Sequence, residues 1–234
     1  MRIVLSAVMG LLAVGMAAGR PMDIRSANLE PSRNGRPRPP VLVPPDATNS
    51  LALGCRVTAS AEPMLLDRTE HSSPLGGLAC ITDGYKEHDD EHVNLPSGSQ
   101  WVQLDLGKTQ EVWAVQIWHW YDYGCAYRDV VVQLSNDSGF THGVVTVFNN
   151  DHDNSAGLGA GKEKEYIENN EGRCFPVEGV RARYIRFYSN GSTETPASRY
   201  TEIEVYGREP VTRLSREEQP RVRLRIMIPK PIFM

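Results

Sequence analysis

The sequence predicts an all-β protein with an antiparallel core, and three stretches carry that prediction. Val102, Leu104 and Leu106 alternate with Gln103 and Asp105, the period-two pattern of a half-buried strand. Val112 to Tyr121 is apolar on both faces, as a strand covered on both sides is. Val130, Val132 and Leu134 alternate again, and Asn136-Asp137-Ser138-Gly139 closes that run with turn chemistry. Between them, Gly107-Lys108-Thr109-Gln110 reads as a turn and Asp122-Tyr123-Gly124-Cys125-Ala126 as a loop. Neither interval is long enough for a crossover helix, so the strands are expected to pair antiparallel.

Four segments follow in order. Residues 1–19 begin with Arg2, run through Leu11-Leu12-Ala13-Val14 and end in Ala17-Ala18-Gly19, the layout of a secretory signal peptide. Export to an extracellular or periplasmic space is therefore expected. The apolar run is too short and too broken by glycine to cross a bilayer, so no membrane span is expected once it is removed. Residues 20–48 carry Pro21, Pro31, Pro37, Pro39, Pro40, Pro44 and Pro45, which keep a chain extended as a linker or a surface-wrapping arm. Residues 49–208 form one domain, large enough to bury its own core. In the tail, 209–234, Val222, Leu224, Ile226 and Ile228 alternate with Arg221, Arg223 and Arg225, an edge strand whose outward arginines discourage further pairing.

A net charge of −4 with no basic stripe argues against a nucleic-acid partner. His88-Asp89-Asp90-Glu91-His92 has the spacing of an inverted zinc-protease motif. That chemistry needs a helix to bring both histidines to one face, and here Asp83-Gly84 and Leu95-Pro96-Ser97-Gly98 break the chain on either side. A metal-assisted hydrolase built on His88 and His92 is the enzymatic alternative to the solvated loop this segment otherwise reads as. Gly157-Leu158-Gly159-Ala160-Gly161 follows no buried strand into a helix, so it lacks the geometry of a phosphate cradle. Asn136-Asp137-Ser138 and Asn190-Gly191-Ser192 are glycosylation sequons in a eukaryotic secretory host.

Two constellations point to ligand binding. Trp118-His119-Trp120-Tyr121 ends a strand in amphipathic rings, and a ring at a loop rim can stack on the face of a sugar. Asn149-Asn150-Asp151-His152-Asp153-Asn154-Ser155 gathers side chains that pair with sugar hydroxyls or coordinate a hard cation through oxygen. Its spacing is not that of an EF-hand loop. Together they nominate His119, Trp120, Tyr121, Asn150, Asp151 and Asp153 as the ligand-binding set. Core packing of the rings and turn formation by the Asn/Asp run remain the plain alternatives. Arg186, alternating with Ile185 and Phe187, is expected to point outward as a surface ion-pair partner.

The ordered set WVQLDLG, EVWAVQIW, DVVVQLSND, ARYIRFY and TEIEVYG, within about Asn49 to Arg208, resembles the discoidin, or coagulation factor V/VIII C-type, domain. Asn49-Ser50-Leu51-Ala52-Leu53-Gly54 is similar to the opening of such domains. The resemblance implies a jelly-roll antiparallel β-sandwich of the galactose-binding-like superfamily, and a non-catalytic binding module rather than an enzyme. Carbohydrate or glycoconjugate is the partner it implies, and an adhesive surface protein docking another protein is the alternative. It also implies a structural Ca²⁺ held by Asp83 in the Asp-Gly turn and Glu202 in the last strand. The Thr and Trp usual after that turn are replaced here by Lys86-Glu87-His88-Asp89-Asp90.

Cys55, Cys80, Cys125 and Cys174 make an even set in an exported chain, which favours disulfides with three possible connectivities. The neighbour relations of a jelly roll imply Cys55–Cys80 and Cys125–Cys174. Buried free thiols are the alternative, and no pair has the spacing of a zinc site.

Overall fold

The structure is a computed structural model that describes residues 28–33, 36, 38–64, 77–86, 92–121 and 124–210. The signal-peptide segment 1–19, His88 and the alternating run 222–228 lie outside the described residues. Among the described residues, seven strands make up almost all of the regular structure: β1 Arg56–Ala59, β2 Val93–Leu95, β3 Gln100–His119, β4 Val131–Ser135, β5 Val145–Asn149, β6 Arg173–Ser189 and β7 Ser198–Arg208. One 3₁₀ turn, Gly77–Thr82, packs beside them. Every strand pairing is antiparallel. No helix among the described residues is long and apolar enough to cross a membrane.

Two long strands organise the β-sandwich. The order is β2-β7-β3-β6-β4-β5, with β1 also on β3. The first part of β3, Gln100 to Asp105, pairs with Ser189 to Tyr184 of β6. It carries β1 on its other edge, and β4 continues the layer beyond β6. The second part of β3 pairs with the first half of β6 and with β7. The chain thus passes from one layer to the other inside single strands. The passage in β3 lies where its register with β6 shifts between Asp105 and Gln110. There Gly107 takes φ 77°, a left-handed value that only glycine adopts cheaply. The sequence reading of Gly107–Gln110 as a reversing turn is corrected by this: the chain bends and continues as one strand.

The period-two pattern sets the core. Val102, Leu104, Val115, Ile117, Val132, Leu134, Ile185, Phe187, Ile203 and Val205 are fully buried in one cluster between the layers. Outward neighbours pair on the surface, as where Arg183 holds Asp105 by a two-pronged bond at 2.7 and 2.9 Å. Arg186 points outward as expected but makes no carboxylate pair among the described residues. Its guanidinium lies 4.2 Å from the ring centres of both Trp101 and Phe140, and it donates to Gln103.

Trp118 is buried against Gly172, where a Cβ would come within 2.6 Å of the indole, so that position requires glycine. The start and end of the domain are joined by backbone bonds. Leu51 donates to the Val205 carbonyl at 2.7 Å, and Ser50 bridges Tyr206. The described residues of the proline-rich segment lie along the sandwich: Leu29 bridges Glu165, Glu30 pairs with Arg173, and Asp46 pairs with Arg208 at 2.9 Å.

All four cysteines are free thiols, so neither Cys55–Cys80 nor Cys125–Cys174 is formed. Cys125 belongs to the core cluster, whereas Cys174 lines a cleft under the proline-rich arm. Cys55 gives its thiol hydrogen to the Leu51 carbonyl. Burial pushes the Cys125 thiol up to about 12 and Cys174 up to about 11, which keeps both protonated and unreactive at neutral pH.

Candidate functional site

The end of β3 is built in two tiers. The register of β3 against β7 shifts between Trp118 and His119, so consecutive residues are both buried. His119 is fully enclosed, stacked on Tyr127 with ring centres 4.1 Å apart and tilted against Tyr200 at 5.0 Å. Its Nδ1 lies 2.7 Å from the Glu168 carboxylate, which is buried with it. The Tyr200 hydroxyl bonds Ser189 at 2.7 Å, and burial drives both tyrosine hydroxyls well above their ordinary pKa. His119 is therefore a supporting core residue, which corrects its assignment as a ligand contact.

Trp120 sits directly above this tier and is half-buried. Its carbonyl accepts the Tyr127 hydroxyl at 3.1 Å and the Cys125 thiol at 3.3 Å, and its N–H donates to the Arg199 carbonyl at 3.3 Å. Three bonds from two segments, the loop at Cys125 and Tyr127 and strand β7, hold one backbone position, so the indole is aimed from below. The Arg199 guanidinium lies 4.6 Å over the indole, a cation–π contact, and the His92 ring is 6.0 Å away. Tyr121 follows, half-buried, with its carbonyl accepting the Gly124 N–H. The sequence thus placed Trp120 and Tyr121 at a rim, and the fold adds Arg199 and His92 beside Trp120.

The Asn/Asp loop is built differently, because its side chains turn back on its own backbone. Asn150 is buried, and its carbonyl oxygen accepts the Val130 N–H at 2.6 Å. Asp151 is fully buried and accepts the N–H groups of Ser155 and Ala156, each at 2.9 Å. The glycine-rich segment belongs to this loop. Gly161 donates to the Asp151 carbonyl, and a Cβ there would overlap the Asn149 carbonyl. Burial corrects Asn150 and Asp151 as direct ligand contacts. Asp153 is exposed and accepts the Ser155 N–H, a bond that lowers its pKa. Asp129, Asp151 and Asp153 place carboxylate oxygens within 4.8 Å of one another. Ser155 and Asn190 donate to Asp129 at 2.7 and 2.8 Å.

The third place is the Asp83 turn and Glu202. Asp83 is exposed and caps its turn by accepting the Tyr85 N–H at 2.8 Å. Glu202 is almost fully buried, and the Gly84 N–H reaches both of its oxygens only at 3.3 Å. Burial pushes the Glu202 carboxyl up to about 8, and the nearby Asp83 and Glu204 carboxylates add to the rise. Lys86 pairs with Glu204 at 2.6 Å and lies 4.8 Å over the Trp118 ring. His92, half of the protease-like motif, precedes strand β2 and not a helix.

Arg199, Glu168 and Tyr127 escaped the sequence reading. Arg199 and Glu168 come from segments remote in sequence, Tyr127 follows only seven residues after Trp120, and none sits in a local motif.

No protein-family model matches the chain, and no curated protein is similar to it. Solved structures similar to it include carbohydrate-binding modules. The CBM32 of AlyQ in complex with 4,5-unsaturated mannuronic acid is 18% identical with TM-score 0.46, covering 64% of this chain and 93% of that one. Chitosan-binding module 1 of a chitosanase/glucanase from Paenibacillus sp. IK-5 is 23% identical with TM-score 0.43, over 68% and 99% of the two chains. A pectin-binding carbohydrate-binding module is 22% identical with TM-score 0.46, over 64% and 88%. A family 89 glycoside hydrolase from Clostridium perfringens matches over only 15% of its own length.

Proposed function

We propose that this protein is an exported, non-catalytic binding module of discoidin type within the galactose-binding-like sandwiches, and that it recognises carbohydrate or glycoconjugate. The observation that carries this reading is the held indole of Trp120. A sugar presents an apolar C–H face to an aromatic ring and hydroxyls to neighbouring polar groups. Trp120 and Tyr121 supply the rings, and Arg199 a polar group beside Trp120. The tier of Tyr127, His119, Glu168 and Tyr200 fixes the ring before ligand arrives, which lowers the ordering cost of binding. A single shallow site of this kind binds at about millimolar Kd, near −4 kcal/mol. Screening the protein against a glycan array, then titrating the best saccharide into wild type and Trp120→Ala, tests the reading. Selective binding that is lost in a folded Trp120→Ala supports it, and an array without preference refutes it.

The calcium ion implied by the discoidin resemblance belongs to the same proposal. Asp83 and Glu202 would hold it, and the buried, weakly bonded Glu202 carboxylate is the observation that fits. Such an ion would supply the positive charge that burial otherwise denies this group. Unfolding in EDTA and in millimolar Ca²⁺ tests it. Linkage gives a stabilisation of about 2.7 kcal/mol at a hundredfold excess over Kd, and coincident midpoints refute the site.

A further inference from the structure

A second polar site lies between the proline-rich arm and strands β3 and β6. There the arm roofs a cleft of about 670 Å³, within the roughly 300–1,000 Å³ range of small-ligand pockets. Arg33 and Arg38 of the arm and Arg173 of β6 line it, with Trp113 and Pro176 as apolar walls. Glu30 and Glu178 are the carboxylates on its lining, so arginine predominates locally in a chain of net charge −4. Arg173 is held on a floor of rings, 4.7 Å from Tyr166 and 5.8 Å from Phe175. Its Nε–H is buried with no acceptor among the described residues. Arg38 and Arg173 converge on one atom, Oε1 of Glu30.

We propose that this cleft is a binding site for an acidic saccharide, whose carboxylate takes the place that Glu30 holds between Arg38 and Arg173. The inference rests on the carbohydrate reading above and extends it to a second site and a charged ligand class. Arginine suits the task because its fork matches a carboxylate and its Nε–H offers the bond that Glu30 leaves unmade. Trp113 and Pro176 give the sugar ring an apolar wall, so charge and ring face are recognised together. Glu30 acts as an internal stand-in: it holds both arginines on one carboxylate oxygen until ligand displaces it.

The test titrates a trimer of galacturonic acid, and the same trimer as its methyl ester, into the full-length protein. Wild type should prefer the acid. Arg38→Gln should weaken the acid by about tenfold, the scale of a lost charge-assisted bond, and leave the ester unchanged. Glu30→Gln should tighten the acid by about threefold, since removing the internal competitor frees a partly exposed pair. Trp120→Ala should leave the acid-over-ester preference intact. Equal affinity for acid and ester, or an Arg38→Gln variant as tight as wild type, overturns the inference. If the preference vanishes in Trp120→Ala, the charge is read at the rim; the second site then falls while the carbohydrate reading stands. If neither trimer nor any arrayed glycan binds, both fall.

Discussion

The end of β3 and the loop 149–155 are both crowded with side chains able to meet a ligand, yet the fold uses them in opposite ways. At the end of β3 the buried polar groups bond one another: His119 with Glu168, Tyr200 with Ser189, Tyr127 with the Trp120 carbonyl. That leaves Trp120 half-buried at the top of a rigid stack. In the loop the polar groups are consumed by backbone donors next to them, as Asp151 is by Ser155 and Ala156. The difference lies in what is within reach. A turn-rich loop exposes N–H groups that a neighbouring carboxylate satisfies, whereas a strand spends its N–H groups on the ladder and leaves side chains to find partners elsewhere.

Four perturbations probe that contrast, in falling order of expected effect. Glu168→Ala strands a buried histidine and should destabilise by about 3–5 kcal/mol, the cost of breaking a buried pair. Denaturant unfolding measures it, and saccharide affinity should fall as Trp120 loses its support. A Glu168→Ala variant as stable as wild type would show that the lower tier carries nothing.

Asp151→Ala should cost about 1–3 kcal/mol, the scale of leaving buried donors unsatisfied. Saccharide affinity should stay unchanged, because the group is interior; a loss of binding with full stability would return the loop to the ligand site.

The third perturbation is pH. Glu202 has a folded pKa of about 8, above the ordinary carboxylate value of 4.5. The folded state therefore holds its proton longer than the unfolded state. Glu202 contributes most stability below about pH 4.5, and the contribution is lost as pH rises through about 8. In calcium-free buffer Glu202→Gln should flatten this decline and raise the melting temperature at pH 8. Bound Ca²⁺ would reverse the sign for wild type by favouring the charged carboxylate. A melting profile in EDTA that is identical for wild type and variant would contradict the assignment.

The smallest effect is expected of Asp153. Its exposed carboxylate is held below its usual pKa by the Ser155 N–H, so any contribution is present above the unfolded pKa and fades as pH falls. Asp153→Asn should leave the neutral-pH melting temperature nearly unchanged, and a large drop would show that the three carboxylates act as a unit.

The strands were legible wherever one face is apolar and the other polar. Val102-Leu104, Val132-Leu134 and Ile185-Phe187 all face the core with the predicted parity. The bend at Gly107 was not, because a glycine at positive φ serves a reversal and a strand crossing between layers equally well. At the site, Trp120 was readable as a ring at a strand end. His119 was misread because its burial depends on Glu168, 49 residues later, and on a register shift opposite β7. Arg199 was invisible for the same reason: it reaches Trp120 across the sheet and carries no local pattern. The state of the cysteines could not be read from their even count, which speaks to compartment, whereas pairing depends on which face each thiol occupies.

Titration of the best array-selected saccharide into wild type and Trp120→Ala, with near-ultraviolet circular dichroism on both, tests the central claim most directly. The account predicts a folded variant whose affinity falls beyond detection while wild type binds at about millimolar Kd. A folded Trp120→Ala that binds the saccharide as well as wild type would contradict it.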